Sequence, residues 1–368
     1  MDNEEFQIEG LDDDTDVSGS NDEIDNPFNP KDIKINVEAK SLDLLITRMK
    51  HNAIDLNTEF QRKGNLWNQV TQSRLIESLL LKFPLPVFYF DASDEDNWLV
   101  VDGLQRLWSI KNFVIDKKLT LQGLEILKNY NGQGYETLSL AMQRRINETQ
   151  ITTYLVQPGS PQKVKYYVFR RINTGGLTLN SQEIRHALNQ DQAAKFLRDV
   201  AENNTFRQAL KIPDKRMQDR ELILRSLTFA INDYSKYEKP LAEFLDRGME
   251  QIDKLKSNQL ETLNESFFSG LRRSILLFGR HAFSRSLLKG VKYRLNAALF
   301  EVWVSQLSIL NSKQFEKLIA KREILIEDYK TLLANEDFKT SVVSSTSSKQ
   351  SVTRRFMEII SLIEKHSK

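Results

Sequence analysis

A chain of 368 residues with 40% hydrophobic side chains is long enough for two domains with real cores, and its lack of cysteine excludes a disulfide framework, thiolate catalysis and cysteine-based zinc sites. No apolar run reaches membrane-spanning length and the N-terminus is acidic rather than basic-then-apolar, so the expectation is a cytoplasmic protein with no membrane segment. The net charge of +2 hides an asymmetry: residues 1–26 hold eleven Asp or Glu and no Lys or Arg, leaving 39 acidic against 52 basic residues, or +13, in residues 27–368. A positive body suits nucleic acid or nucleotide phosphates, and the same charge spread over that length also fits a solvated surface.

The first 30 residues are acidic, rich in Asn, Ser and Gly, and without periodicity, which predicts a disordered tail. A short strand follows near Ile33, Ile35 and Val37, then a helix from Ser41 or Leu42 with Leu42, Leu45, Ile46 and Met49 on one face. Residues 54–62 read as an irregular extended piece containing Glu59-Phe60-Gln61-Arg62. Thr71 is the expected N-cap of a helix carrying Leu75, Ile76, Leu79 and Leu80, stopped by Pro84 and Pro86. Val87 to Phe90 and Trp98 to Val101 form a predicted hairpin across a polar turn. After Asp102-Gly103 a helix with Leu107, Ile110, Phe113 and Val114 begins near Gln105. Further elements are a helix from Leu138 to Asn147, a strand from Ile151 to Val156 and a helix over 161–173, broken at Asn173-Thr174-Gly175-Gly176.

From Asn180 onward the pattern is helical: 195–209, 219–234, 241–256, 265–277, 295–310, 313–333 and 352–363 each repeat an apolar face. The expected organisation is a tail over 1–30, an α+β domain over 31–178 and a mostly helical domain over 179–368.

Three segments carry candidate chemistry. At the strand–turn–helix, Gly103 takes the turn without steric cost, and Arg106 sits in the first helical turn, where an anion is favoured and a guanidinium can fork onto two phosphate oxygens. Such turns are also common structural connections. Glu59 with Arg62 lines a pocket or forms a surface pair. Gly175-Gly176 builds either a backbone nest for an anion or a plain helix end, with Asn173 able to hydrogen-bond a sugar or base and Asn180 with Glu183 at capping-box spacing. Further on, Asp219 is read as a helix cap, and Glu221 with Arg225 as an i,i+4 pair.

Taken in order, Glu59-Phe60-Gln61-Arg62…Trp67, Leu75 to Leu80, Pro84-Leu85-Pro86, Asp102-Gly103-Leu104-Gln105-Arg106-Leu107 and Asn173-Thr174-Gly175-Gly176-Leu177…Gln182-Glu183-Ile184-Arg185 resemble the N-terminal domain family of GmrSD-type restriction endonucleases. The later Arg216 to Arg225, Phe244 to Met249, Asn296 to Phe300 and Thr346 to Phe356 extend the resemblance to about residues 35–365. It implies a ParB/sulfiredoxin-like N-terminal domain with a helical extension, a nucleoside triphosphate with Mg2+ as ligand, and a place in a bacterial restriction or antiviral system. Under it, Arg106 and Arg62 hold phosphates beside Gly103, Asp102 and Gln105 orient water or magnesium, and Glu59 is the base. Asn173, Gly175 and Gly176 close over the nucleotide.

DNA and a separate nuclease or methyltransferase subunit are the implied partners. The chain itself shows no His-Asn-His constellation, so nuclease activity is not expected of it alone. The family pattern is Asp-Gly-Gln-Gln-Arg, and Leu104 stands at its first Gln. NTP hydrolysis therefore stays open, with Leu104 either replacing a polar group of the site or packing into the core. Three readings remain: a nucleotide-binding sensor that hydrolyses NTP or only binds it, a DNA-binding module without catalysis, and an interaction protein with a vestigial pocket whose acidic tail competes with nucleic acid.

Overall fold

The computed structural model describes residues 8–11, 29–56, 67–172, 180–189, 191–212 and 216–368. The chain divides into two compact units, one of residues 24–188 and one of residues 1–23 with 189–368.

The first unit is α+β. Its elements are β1 (Ile35–Ser41), α1 (Leu42–Lys50), β2 (Ile54–Asp55), α2 (Gln69–Leu80), β3 (Phe88–Asp91), β4 (Trp98–Asp102), α3 (Leu104–Ile110), α4 (Leu140–Asn147), β5 (Gln150–Val156), α5 (Gln162–Ile172) and α6 (Ser181–Leu188). Among the described residues the sheet has five strands in the order β1-β5-β3-β4-β2. β3 lies between an antiparallel neighbour, β4, and a parallel one, β5. Alternation sorts the faces. Phe88, Phe90, Trp98 and Val100 join the core formed with α1, α2 and α3, where Leu45, Ile76, Leu79 and Leu107 are fully enclosed. Leu99 and Val101 alternate with these residues and are also buried, so both sides of β4 are covered. α5 packs against β4 and α6, with Val164 and Phe169 enclosed.

α1 carries the four buried side chains that its spacing predicts. β1 is longer than expected because Ile35 to Ser41 pair in full with Val156 to Gln150. The cap of α2 is Asn68, not Thr71: the Asn68 side chain accepts the Thr71 N–H at 2.9 Å, so the helix begins a turn earlier. Asn180 and Glu183 form the reciprocal capping box, at 2.8 and 2.7 Å, that opens α6.

The second unit is helical: α7 (Gln192–Glu202), α8 (Asn204–Leu210), α9 (Gln218–Ile231), α10 (Leu241–Asp253), α11 (Ser257–Phe278), α12 (Ala297–Ser308), α13 (Ser312–Ala320), α14 (Arg322–Ala334), α15 (Glu336–Val343) and α16 (Lys349–Ser367). Two long periodic stretches are each split. Asn203 leaves the helix to cap α8, and Lys321 separates α13 from α14. Asp219 accepts its neighbour's N–H rather than capping α9, whose N-cap is Met217 in a left-handed conformation.

α12 runs through the middle of the unit, with Ala297 to Ser305 buried on every side. Its Trp303 packs against Phe278 and Tyr329, with ring centroids 4.6 and 5.1 Å away. Gly270 lets α11 approach closely, since a Cβ there would stand 2.2 Å from the Val304 carbonyl oxygen. Among the described residues no helix is long and apolar enough to cross a membrane.

Residues 8–11 depart from the disorder expected of the acidic tail. Ile8 and Leu11 are buried in the core of the helical unit, and Glu9 pairs with Asn296 as a β-bridge. Two apolar side chains in an acidic stretch give no periodic signal, yet they suffice when a groove receives them.

Candidate site at the Asp102–Arg106 turn

The turn forms because β4 ends at Asp102 and Gly103 adopts φ +103°, ψ 7°, a left-handed conformation that reverses the chain straight into α3. A side chain at residue 103 would also collide with Phe88, its Cβ lying 2.5 Å from Cδ1 of that ring. The register slips between Tyr89 and Phe90, so Tyr89 faces Asp102 while Phe90 faces Val100. This bulge sets Asp102 at the end of the ladder beside Tyr89. Burial, Tyr154 and Asp102 push the Tyr89 hydroxyl above its ordinary pKa.

Arg106 is largely buried and turned inward. One guanidinium nitrogen donates to the carbonyls of Pro86 and Val87, the second at 3.1 Å. The other donates to Asp102 at 2.6 Å, and the group lies 4.4 Å over the Phe88 ring. Burial lowers the guanidinium pKa, opposed by the Asp102 charge and its hydrogen bond. Arg106 therefore clamps the segment after α2 to the start of α3. The Asp102 side chain keeps 39% of its surface exposed.

Gln105 has a positioning contact. Its side-chain oxygen accepts the Trp67 N–H at 3.2 Å. Gln72 donates to the Trp67 carbonyl at 2.7 Å and accepts from Asn112 at 3.0 Å. This buried amide chain fixes Trp67, five residues after Arg62, against α2 and α3. Leu104 is buried in the sheet-and-helix core, which decides its direction: it packs with the core and does not face the site.

Elsewhere on α2, Glu77 accepts the backbone N–H groups of Glu125, Ile126 and Leu127 at 3.1, 2.8 and 2.7 Å. Burial works against its charge, but the three donors and Arg74 prevail and hold the carboxyl below its ordinary pKa.

Of the nine residues that sequence reasoning assigned to the site, Asp102, Gly103, Gln105 and Arg106 lie together in this turn. Glu59, Arg62, Asn173, Gly175 and Gly176 lie outside the described residues. Sequence reasoning missed the Pro86 and Val87 carbonyls, Phe88, Tyr89, the Trp67 N–H and the Glu77 loop contact. The Asp102–Arg106 spacing of four was a usable signal for the ion pair. Among the described residues no group of three or more His, Asp or Glu side chains comes together to hold a metal.

The first unit is thus an α+β domain with a strand–glycine–helix turn at the end of β4, an interior strand of a mixed sheet. Residues 45–190 match the family described as GmrSD restriction endonuclease, N-terminal domain. A solved structure of a Pnob8-like ParB-N domain, in its C2221 form, is 15% identical, with 90% of this chain and 98% of that one covered at a TM-score of 0.22. No curated protein matches the chain.

Proposed function

We propose that the chain is a nucleotide-binding regulatory module of a restriction system, taking a nucleoside triphosphate with Mg2+ at the Asp102–Arg106 turn. The observation that carries this reading is the match of residues 45–190 to the GmrSD N-terminal domain, with the turn inside it. The donor set is compatible with the ion. Mg2+ is commonly held by one or two carboxylates together with nucleotide phosphates and water, and Asp102 offers one half-exposed carboxylate. Bound there, the ion would supply charge neutralisation for the phosphates.

In this reading Arg106 acts through Asp102: it fixes the carboxylate and shapes the turn. Phosphate contacts then fall to Arg62, with Glu59, Asn173, Gly175 and Gly176 completing the site. Gln105 holds Trp67 through its backbone N–H. DNA cutting is assigned to a separate nuclease subunit.

One observation favours a second reading, an interaction protein with a vestigial pocket. The Arg106 guanidinium is taken up by Pro86, Val87 and Asp102. Calorimetric titration of the full chain with ATP, GTP, CTP and UTP in the presence of magnesium separates the two. The nucleotide reading expects saturable binding of at least one triphosphate, weakened at least tenfold in Asp102→Asn at a temperature where both proteins are folded. Absence of binding by all four to the folded wild type leaves the second reading standing.

A further inference from the structure

Ile8-Glu9-Gly10-Leu11 is held in the helical unit by contacts at every residue. The Glu9 N–H donates to the Leu295 carbonyl at 2.8 Å, and the Glu9 carbonyl accepts from Ala297 at 2.9 Å. Ala297 is the first residue of α12, so this carbonyl satisfies one of the amides that a helix start leaves without an intrahelical partner. The Asn296 side chain, fully buried, caps α12 through its oxygen and donates through its nitrogen to the Glu9 carboxylate at 3.2 Å and to the Val342 carbonyl.

Arg225, also fully buried, donates to the Gly10 carbonyl at 2.8 Å while its Nε holds Glu301. Gly10 has φ +79°, which favours glycine, and it sits against Thr346. Ile8 and Leu11 enter the apolar core on either side. These are the parts of a peptide-recognition groove: a backbone bridge, two apolar anchors, one amide reading a carboxylate and one guanidinium reading a carbonyl.

We propose that the groove formed by residues 295–297, Arg225 and the 342–346 segment is a peptide-binding site for an extended apolar–acidic–glycine–apolar sequence, and that residues 8–11 are its tethered ligand. The groove's polar groups are built into the core rather than laid on the surface. Withdrawing the ligand removes an acceptor from Arg225 and from the first amide of α12, which couples occupancy of the groove to the order of the helical unit.

The test uses the full chain with a sequence-specific protease site placed after Asn21. The protein is folded first and then nicked, and its helical signal is followed by circular dichroism. The released N-terminal piece should stay with the body at high concentration and dissociate on dilution. A fluorescent synthetic peptide of residues 1–21 should rebind at one per chain, and the same peptide with Ile8→Asp and Leu11→Asp should not. If nicking unfolds the body, refolding on addition of the peptide supports the proposal, and failure of the peptide to restore it overturns the proposal. A folded nicked body that does not rebind the peptide also overturns it. In the intact chain Ile8→Asp should lower the Tm by about 4 °C or more, and an unchanged Tm overturns the proposal.

Discussion

Asp102 and Arg106, four residues apart across the Gly103 turn, meet at 2.6 Å, and the same guanidinium holds the carbonyls of Pro86 and Val87. The arginine that the sequence assigns to a phosphate binds three oxygens of its own chain in this structure. Removing it leaves two carbonyls without their donor and a carboxylate without its partner. Arg106→Ala should therefore destabilise the first unit by about 2–4 kcal/mol, the range expected for losing buried charge-assisted hydrogen bonds. Denaturant midpoints measure this directly. A variant as stable as the wild type would show that the clamp contributes nothing and that the side chain is available to a ligand.

The same logic explains what could be read without coordinates. The face of α1, the β3–β4 hairpin and the strand–glycine–helix turn rest on local spacing and on the conformational preferences of Gly103, so the sequence reveals them. The carbonyl partners of Arg106 lie nineteen and twenty residues upstream, and the backbone partners of Glu77 about fifty downstream. No periodicity reports such contacts. Ile8 and Leu11 were hidden for a further reason: charge in the surrounding tail dominates any composition window, while the groove reads only four residues.

Leu104 gives the second prediction. It is buried among Leu107, Ile110 and the other residues of the sheet-and-helix core. Leu104→Gln places an amide there without a partner and should lower stability by about 1–3 kcal/mol. Phosphate release in the presence of nucleoside triphosphate should not increase. Faster release at unchanged nucleotide affinity would mean that residue 104 reaches the site after all.

Glu77 supplies a pH dependence. Its carboxyl is depressed in the folded state by three backbone donors and Arg74, which outweigh burial. A depressed folded pKa contributes stability that is complete above the ordinary glutamate value of about 4.3 and is lost as pH falls through the lower folded value. Wild type should therefore lose stability through this acid window more steeply than Glu77→Gln, while at neutral pH the variant should be weaker by about 1–3 kcal/mol. Urea midpoints taken between pH 7 and pH 3 check both statements. Parallel curves for the two proteins would remove Glu77 from the acid response.

The last prediction concerns Glu301, fully buried between Arg225 at 2.8 Å and Arg355. Burial pulls the Arg355 guanidinium below its ordinary pKa, against the attraction of Glu301. Glu301→Ala removes the carboxylate between Arg355 and Arg225, leaving Arg225 with Glu221 at 3.6 Å, and should cost about 3–5 kcal/mol. Replacing a buried ion triad by apolar side chains is often neutral or stabilising, because desolvation of the charges disappears with them. Here the outcome should differ. Arg225 also donates to the Gly10 carbonyl, and Arg355 to the carbonyls of Ser341 and Thr346. The triple variant Arg225→Met, Glu301→Leu, Arg355→Leu strands these three acceptors in the core, at about 1–3 kcal/mol each for any that finds no new donor. It should remain less stable than wild type in guanidinium unfolding. A triple variant as stable as the wild type would show that the carbonyl contacts add nothing beyond the ion pairs with Glu301 and Glu221.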